Sequence, residues 1–443
     1  MHPALLRADP RQGSALPPTT FPQRLIVVAA LLFPLAPSLR AQDREPLSLA
    51  AAHATARQGH PGLAAAREAV VAAQARERQA SAYPNPTIAY GREQTSGFGQ
   101  SNSQNFASLG QPIEFGLRSV RRDIARAQRE AAEARLSRAE SDLRHDVTVA
   151  YARVLAADRR ARIAERAGAT FIEALRVSEH RLAAGDVAGY THRRLRLEVA
   201  HAATVRAEAV LAAQTARVAL SSLVAAADAP TSASALTLSD TLVARSPAPD
   251  ATSLVAIAVR ARAELRALAL DAKAAEAEAR LAARERTPVP VLSAGFKHER
   301  VEQPGTGDPS LGGFIAGISL PLPIFDRRRG TVDAAAAETR RQLALVEEYR
   351  RRVTREVLEA HHAYRIALEQ VALLEPVVGP DAHAALAAAD VAYAEGEITL
   401  VEWLDVMRSY REAEASLASL QAEVLIRRAA LERAVGTPLT QVP

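Results

Sequence analysis

Residues 181–202 read RLAAGDVAGYTHRRLRLEVAHA, and residues 392–413 read AYAEGEITLVEWLDVMRSYREA. In both, a helix-forming run meets a glycine, a few turn residues follow, and a helical pattern resumes. Gly185 and Gly396 hold the same place in the two stretches. Two glycines at matching positions read as two reversals of chain direction, where a positive φ costs glycine nothing.

Further matches flank this pair in the same order. Residues 47–83 carry an amphipathic helical pattern that ends at Tyr-Pro-Asn-Pro (83–86) and runs into TIAYG. Residues 252–287 do likewise, ending at Thr-Pro-Val-Pro (287–290) before VLSAG. Gly-Gln-Pro-Ile-Glu-Phe-Gly (110–116) then matches Leu-Pro-Leu-Pro-Ile-Phe-Asp (320–326). The offset drifts only from about 204 to 211 across these matches, which marks a tandem duplication of about 200 residues. The chain therefore divides into a leader (1–41), a first repeat (42–226, hairpin 86–115, tip at 185), a Pro/Ser/Ala-rich connector (227–250) and a second repeat (251–443, hairpin 289–324, tip at 396).

Each copy predicts helix, strand, strand, long helix, glycine, helix. The first long helix runs from Leu117 to Ala184 without a proline. At the α-helical rise it is about 100 Å long. Small apolar residues recur along one stripe among dense Arg and Glu, the pattern of a helix packed closely on its neighbours and wetted elsewhere. The second copy starts its long helix at Thr331, with an irregularity expected between Pro376 and Pro380. In FIAGISLPL (314–322), Phe314, Ala316, Ile318, Leu320 and Leu322 face one way and Ile315, Gly317 and Ser319 the other. Loops are expected at 97–102 and 303–310.

The charge pattern limits the partners. Of the formal +5, residues 1–41 hold +3 through Arg7, Arg11, Arg24 and Arg40 against Asp9. The remainder interleaves acids and bases and offers no segregated basic stripe, so no nucleic-acid partner is expected. Arg24, the apolar run after it and the exit at Ala41 have the layout of a cleavable secretory signal. The chain has no cysteine, which excludes disulfides, thiolate metal sites, a catalytic thiol and a cysteine-borne lipid anchor.

In an exported chain, alternating spans of ten or so residues match barrel strands, although a soluble hairpin domain has the same pattern. Four strands cannot close a barrel and an open edge cannot sit in lipid, so several chains must pool their strands. Three chains would supply twelve.

The arrangement resembles the TolC-type outer-membrane efflux channels over nearly the whole mature chain. Asn85-Pro86 opening the first strand, QPIEFGLRSVRR (111–122), ISLPLPIFDRRRG (318–330) and GEITLVEWLDVMRSYREAEASL (396–417) carry the resemblance. The first two look like the heavy-metal (CzcC-like) branch. The resemblance implies a homotrimer with a twelve-stranded barrel in outer-membrane lipid, continued by a long α-helical periplasmic tunnel. It also implies a periplasmic adaptor docked at the tips (Gly185, Gly396) and an inner-membrane, proton-driven RND pump, with no covalent chemistry and no cofactor.

Glu402 and Asp405 lie one helical turn apart, where some members of that family line the tunnel's closed end with acid. Three chains would make rings of carboxylates that attract cations and, by crowding, favour partial protonation. Tyr393 matches a tyrosine that in relatives hydrogen-bonds between helices to hold the pore shut. This chain departs from the pattern at Ile398, where a basic partner is expected, and at Thr191, where the first copy lacks an acid. Aromatic and hydrogen-bond packing is therefore the expected latch, with Trp403 and Met407 as packing residues.

Other chemistries leave no trace. The histidines are scattered, and the adjacent pair His361-His362 points about 100° apart on a helix. H-E-x-x-H, a phosphate-binding loop and G-x-S-x-G are all absent, and the chain has two lysines, Lys273 and Lys297. Two alternatives share parts of the reading: a duct for organic compounds or a secreted polypeptide, and a periplasmic adaptor. An adaptor carries a single helical hairpin, and the duplication argues against it.

Overall fold

The computed structural model describes residues 46–97, 100–224, 236–242, 247–302, 305, 307 and 309–441. The expected secretory leader (1–41) and much of the connector lie outside these residues. Each repeat contributes two short helices, two strands and long helices: α1 (Leu49–Gly59), α2 (Pro61–Ala80), β1 (Thr87–Gly97), β2 (Gln100–Pro112), α3 (Leu117–Ala184) and α4 (Gly189–Val224) in the first. The second has α5 (Ala251–Ala261), α6 (Ala263–Arg284), β3 (Val291–Glu302), β4 (Ser310–Ser319), α7 (Arg329–Pro376), a π-helical turn (Val377–Asp381), α8 (Ala382–Glu395) and α9 (Leu400–Val435). Among the described residues no helix is long and apolar enough to cross a membrane.

α3 has the bounds its flanking glycines predict. Gly116 precedes it at φ 71° and Gly185 ends it at φ 85°. The irregularity expected between Pro376 and Pro380 is the π-helical turn, where the missing proline N–H groups break the α register. The short helices depart from the unbroken pattern expected over 47–83 and 252–287. In the first copy His60 turns extended and Pro61 restarts the helix, with the Gly62 N–H bonded to His60 Nδ1 at 3.2 Å. In the second the break is at Arg262, buried and extended, whose guanidinium pairs with Glu356 and Glu264.

The buried positions repeat with the sequence. Val147 and Val154 pack with Leu220 and Val224 in the first copy, and Val357 and Tyr364 with Leu431 and Val435 in the second. The long helices lie side by side in the order α4, α3, α9, α7. Ion pairs lace neighbours together: Arg206 to Glu165 (3.0 Å), Arg433 to Asp142 (2.7 Å) and Arg135 to Asp271 (2.5 Å). Each exposed pair is worth no more than about 1 kcal/mol, so they set register more than stability. The connector is tied in at Tyr151, whose hydroxyl lies 2.8 Å from the Leu47 carbonyl and 2.9 Å from Asp240 Oδ2. Burial pushes its pKa up to about 12.

The strands form one antiparallel sheet in the order β1-β2-β3-β4. β4 ends at Ser319, so Leu320 and Leu322, expected within the strand, lie just beyond it. The register puts Ile88 opposite Leu109, Leu292 opposite Ile318 and Phe296 opposite Phe314. These large side chains share one face and are all exposed, Phe296 at 75% and Ile88 at 84%. The other face is polar, with Glu299 accepting from Asn102 at 2.7 Å and Gln104 at 3.2 Å and pairing with Lys297 at 3.1 Å.

Candidate functional site

The two glycine turns lie at the same end of the helices, joined by one apolar cluster. At the first, the Asp186 N–H bonds the Arg181 carbonyl (2.9 Å) and the Gly185 N–H bonds that of Leu182 (3.1 Å). At the second, Glu397 bonds Ala392 (2.8 Å) and Gly396 bonds Tyr393 (3.2 Å), with Gly396 at φ 82°. Both are the paired C-terminal bonds that close a helix with a left-handed residue. Arg181 links the turns by donating from Nη2 to the Ala394 carbonyl at 2.9 Å.

Trp403 is the centre of the cluster, at 2% exposure. Tyr393 stacks on its indole with centroids 5.0 Å apart and planes 18° from parallel. Phe171, from α3, meets it edge-on at 5.8 Å. The indole Nε1 donates to Asp390 at 2.8 Å, which satisfies the one polar atom of the ring. Leu195, Leu400, Leu404 and Met407 close the cluster. Trp403 and Met407 are thus packing residues, as expected. Tyr393 is half-buried, and that burial holds its phenol above its usual pKa, partly offset by Arg181.

The acids lie on the opposite, exposed face of α9. Glu402 is committed locally. Its Oε2 accepts the Thr399 N–H (2.7 Å) and hydroxyl (2.9 Å), while the Glu402 N–H bonds Thr399 Oγ1 at 3.3 Å. The Thr399 N–H holds the Glu402 carboxyl below its usual range, opposite in sign to what crowding by like charges would do. Asp405 is exposed one turn further on.

Phe171, Arg181 and Asp390 are not foreshadowed in the sequence, because their partners are set by packing between distant segments. Thr399 is legible: Thr-x-x-Glu ahead of an apolar helix is a capping box. The paired histidines face each other edge-on at 5.8 Å, and His361 Nε2 lies 3.0 Å from the Pro249 carbonyl. Among the described residues no three His, Asp or Glu side chains are grouped to hold a metal ion.

Comparison with known proteins gives this geometry a context. A family model described as outer membrane efflux protein matches residues 53–226 and 254–437, one match per repeat. The chain is 26% identical over 395 residues to the cobalt-zinc-cadmium resistance protein CzcC of Cupriavidus metallidurans, covering 88% of this chain and 90% of that one. It is 28% identical over 354 residues to the nickel-cobalt-cadmium resistance protein NccC of Alcaligenes xylosoxydans xylosoxydans, covering 77% and 74%. The fold is shared with the outer membrane protein VceC of Vibrio cholerae, at a TM-score of 0.71 and 20% identity over 88% of this chain and 96% of that one.

Proposed function

The chain belongs to the outer membrane efflux protein family, and on that premise we propose that it is the outer-membrane exit duct of a tripartite RND-type efflux system that expels heavy-metal cations. The observation that carries the cargo is the likeness to two metal-resistance proteins across most of the chain. The physical features agree with a duct. One sheet face is apolar and the other polar, as a barrel wall between lipid and water requires. β1 and β4 are open edges within one chain, and lipid tolerates no open edge, so a homotrimer pooling twelve strands is the economical closure.

The long helices then continue the barrel as a periplasmic tunnel. Its closed end is the Trp403 cluster, with Tyr393 as the aromatic latch. Glu402 and Asp405 contribute rings of acid that draw cations into the narrow end, Asp405 being the freer of the two. The turns at Gly185 and Gly396 present the docking surface for a periplasmic adaptor, which couples the duct to the inner-membrane pump. The protein is a passive conduit and performs no covalent chemistry.

Deleting the gene from its host tests the cargo. Tolerance of cobalt, zinc, cadmium or nickel should fall several-fold and return when the gene is restored. Unchanged metal tolerance combined with new sensitivity to organic dyes or detergents would assign the duct to organic cargo instead.

A further inference from the structure

The junction between β2 and α3 carries a feature that conduction does not use. A cavity of about 550 Å³ opens between Tyr83, Gln111 and the first turns of α3. Its height in the fold follows from strand register. Gln111 pairs with Leu292 two residues beyond Leu109, so it lies on the sheet's apolar face, at that face's helix-side margin. The cavity therefore begins where the paired strands end, at the helix-side margin of the sheet, beside the exposed apolar residues Leu320 and Leu322 that follow β4.

Its charge is unbalanced. Arg118 lines the cavity; its guanidinium lies over the Tyr83 ring at 4.0 Å and its Nε donates to the Ser81 carbonyl at 2.5 Å, which leaves its Nη groups without a hydrogen-bond partner among the described residues. Arg122, one turn on, has no ion pair or hydrogen bond among the described residues. The acid at the rim, Glu114, is engaged by Arg121. Two guanidiniums beside an aromatic wall are thus left to find an anion. The second repeat supplies an internal contrast: by helix start, Gly330 and Ala334 of α7 stand where α3 has Arg118 and Arg122, and Arg328, the N-cap of α7, pairs with Glu285.

We propose that this cavity binds the phosphate headgroup of an anionic phospholipid, one per chain, with the acyl chains lying on the apolar face past Leu109 and Leu292. The inference rests on the outer-membrane reading above, which puts the margin of the apolar band at headgroup depth. Guanidinium groups take phosphate oxygens in paired hydrogen bonds, and an arginine at this depth keeps its stem in the apolar zone and its head in the polar one.

The test uses the full chain purified in detergent and titrated with phosphatidylglycerol or phosphatidylcholine of the same acyl composition, with bound lipid counted by native mass spectrometry. The wild type should retain one anionic lipid per chain with a preference of about tenfold over the zwitterionic one. Arg122→Gln should abolish the preference, Arg122→Lys should keep most of it, and Arg327→Gln, outside the cavity, should leave it intact. Arg118 is spared because it also holds the Ser81 carbonyl. Equal retention of the two lipids by the wild type would overturn the proposal, as would an unchanged preference in Arg122→Gln. Displacement of the lipid by millimolar inorganic phosphate would do the same, since the cavity would then be a free-phosphate site. Conductance of the same preparation separates the two readings: a protein that conducts without lipid preference sinks only this inference, and one that does not insert sinks the channel reading.

Discussion

At the scale of single residues, the tip combines a dry aromatic core with a charged outer face, and Thr399 joins them. Its N-cap bonds fix the start of α9, and that start sets where Trp403 meets Tyr393 and Phe171. Thr399→Ala should cost about 1 kcal/mol and loosen the cluster. Trp403 is the only tryptophan of the chain, so intrinsic fluorescence reports on this cluster alone. The variant should show a red-shifted emission at neutral pH. Acid should act the same way on the wild type. The Glu402 carboxyl sits below its ordinary pKa in the folded chain, so its contribution is complete above the usual carboxylate range and is lost as the pH falls through the folded value. The red shift should therefore begin only below about pH 4.3, and Glu402→Gln should remove that acid step. A red shift centred near pH 6 to 7 would contradict this assignment. The capping box was legible in the sequence as Thr399-x-x-Glu402. The stacked Tyr393 was legible only as a position, since its partner ring depends on how α8 and α9 fold against each other.

At the scale of elements, glycine and proline explain what could be read and what could not. α3 begins and ends at the residues that Gly116 and Gly185 mark, and the π-helical turn starts directly after Pro376 and contains Pro380. The break between α5 and α6 carries neither residue; a buried Arg262 paired with Glu356 and Glu264 holds it, and such a pairing has no local signature. α4 shows what a single chain leaves unfinished. Tyr190, Leu197, Thr204, Leu211 and Val218 recur every seven residues along it and are all exposed, Leu197 at 66% and Leu211 at 63%. On the homotrimer proposed above, a heptad stripe on an edge helix is the expected seam with a neighbouring chain. In the proposed trimer the partner would be the opposite edge of the helical layer, α7 and α8 of the next chain. Leu197→Glu with Leu211→Glu should leave the helical content unchanged and shift the detergent-extracted protein from trimer to monomer, read by mass photometry. A trimer that survives both substitutions would place the seam elsewhere.

At the scale of the whole molecule, duplication explains why one chain supplies matched but unequal halves. Both repeats build the same core, hairpin and tip, yet the cavity at Arg118 and Arg122 belongs to the first, and among the described residues the capping box at Thr399 and the tryptophan belong to the second. Repetition was readable because prolines, glycines and strand patterns recur in order. The number of chains was legible only through strand count and resemblance, because one sequence records no contact to a neighbour; on the homotrimer proposed above, the open sheet edges and the uncovered stripe of α4 are where that neighbour belongs. The central claim is that three such chains form a cation-attracting duct narrowed at the tip. Planar-bilayer conductance of the wild type beside Glu402→Gln combined with Asp405→Asn tests it most directly. The account predicts a cation-selective channel in the wild type whose selectivity falls in the double variant, whereas equal selectivity in the two proteins, or no conductance from an inserted wild type, would contradict it.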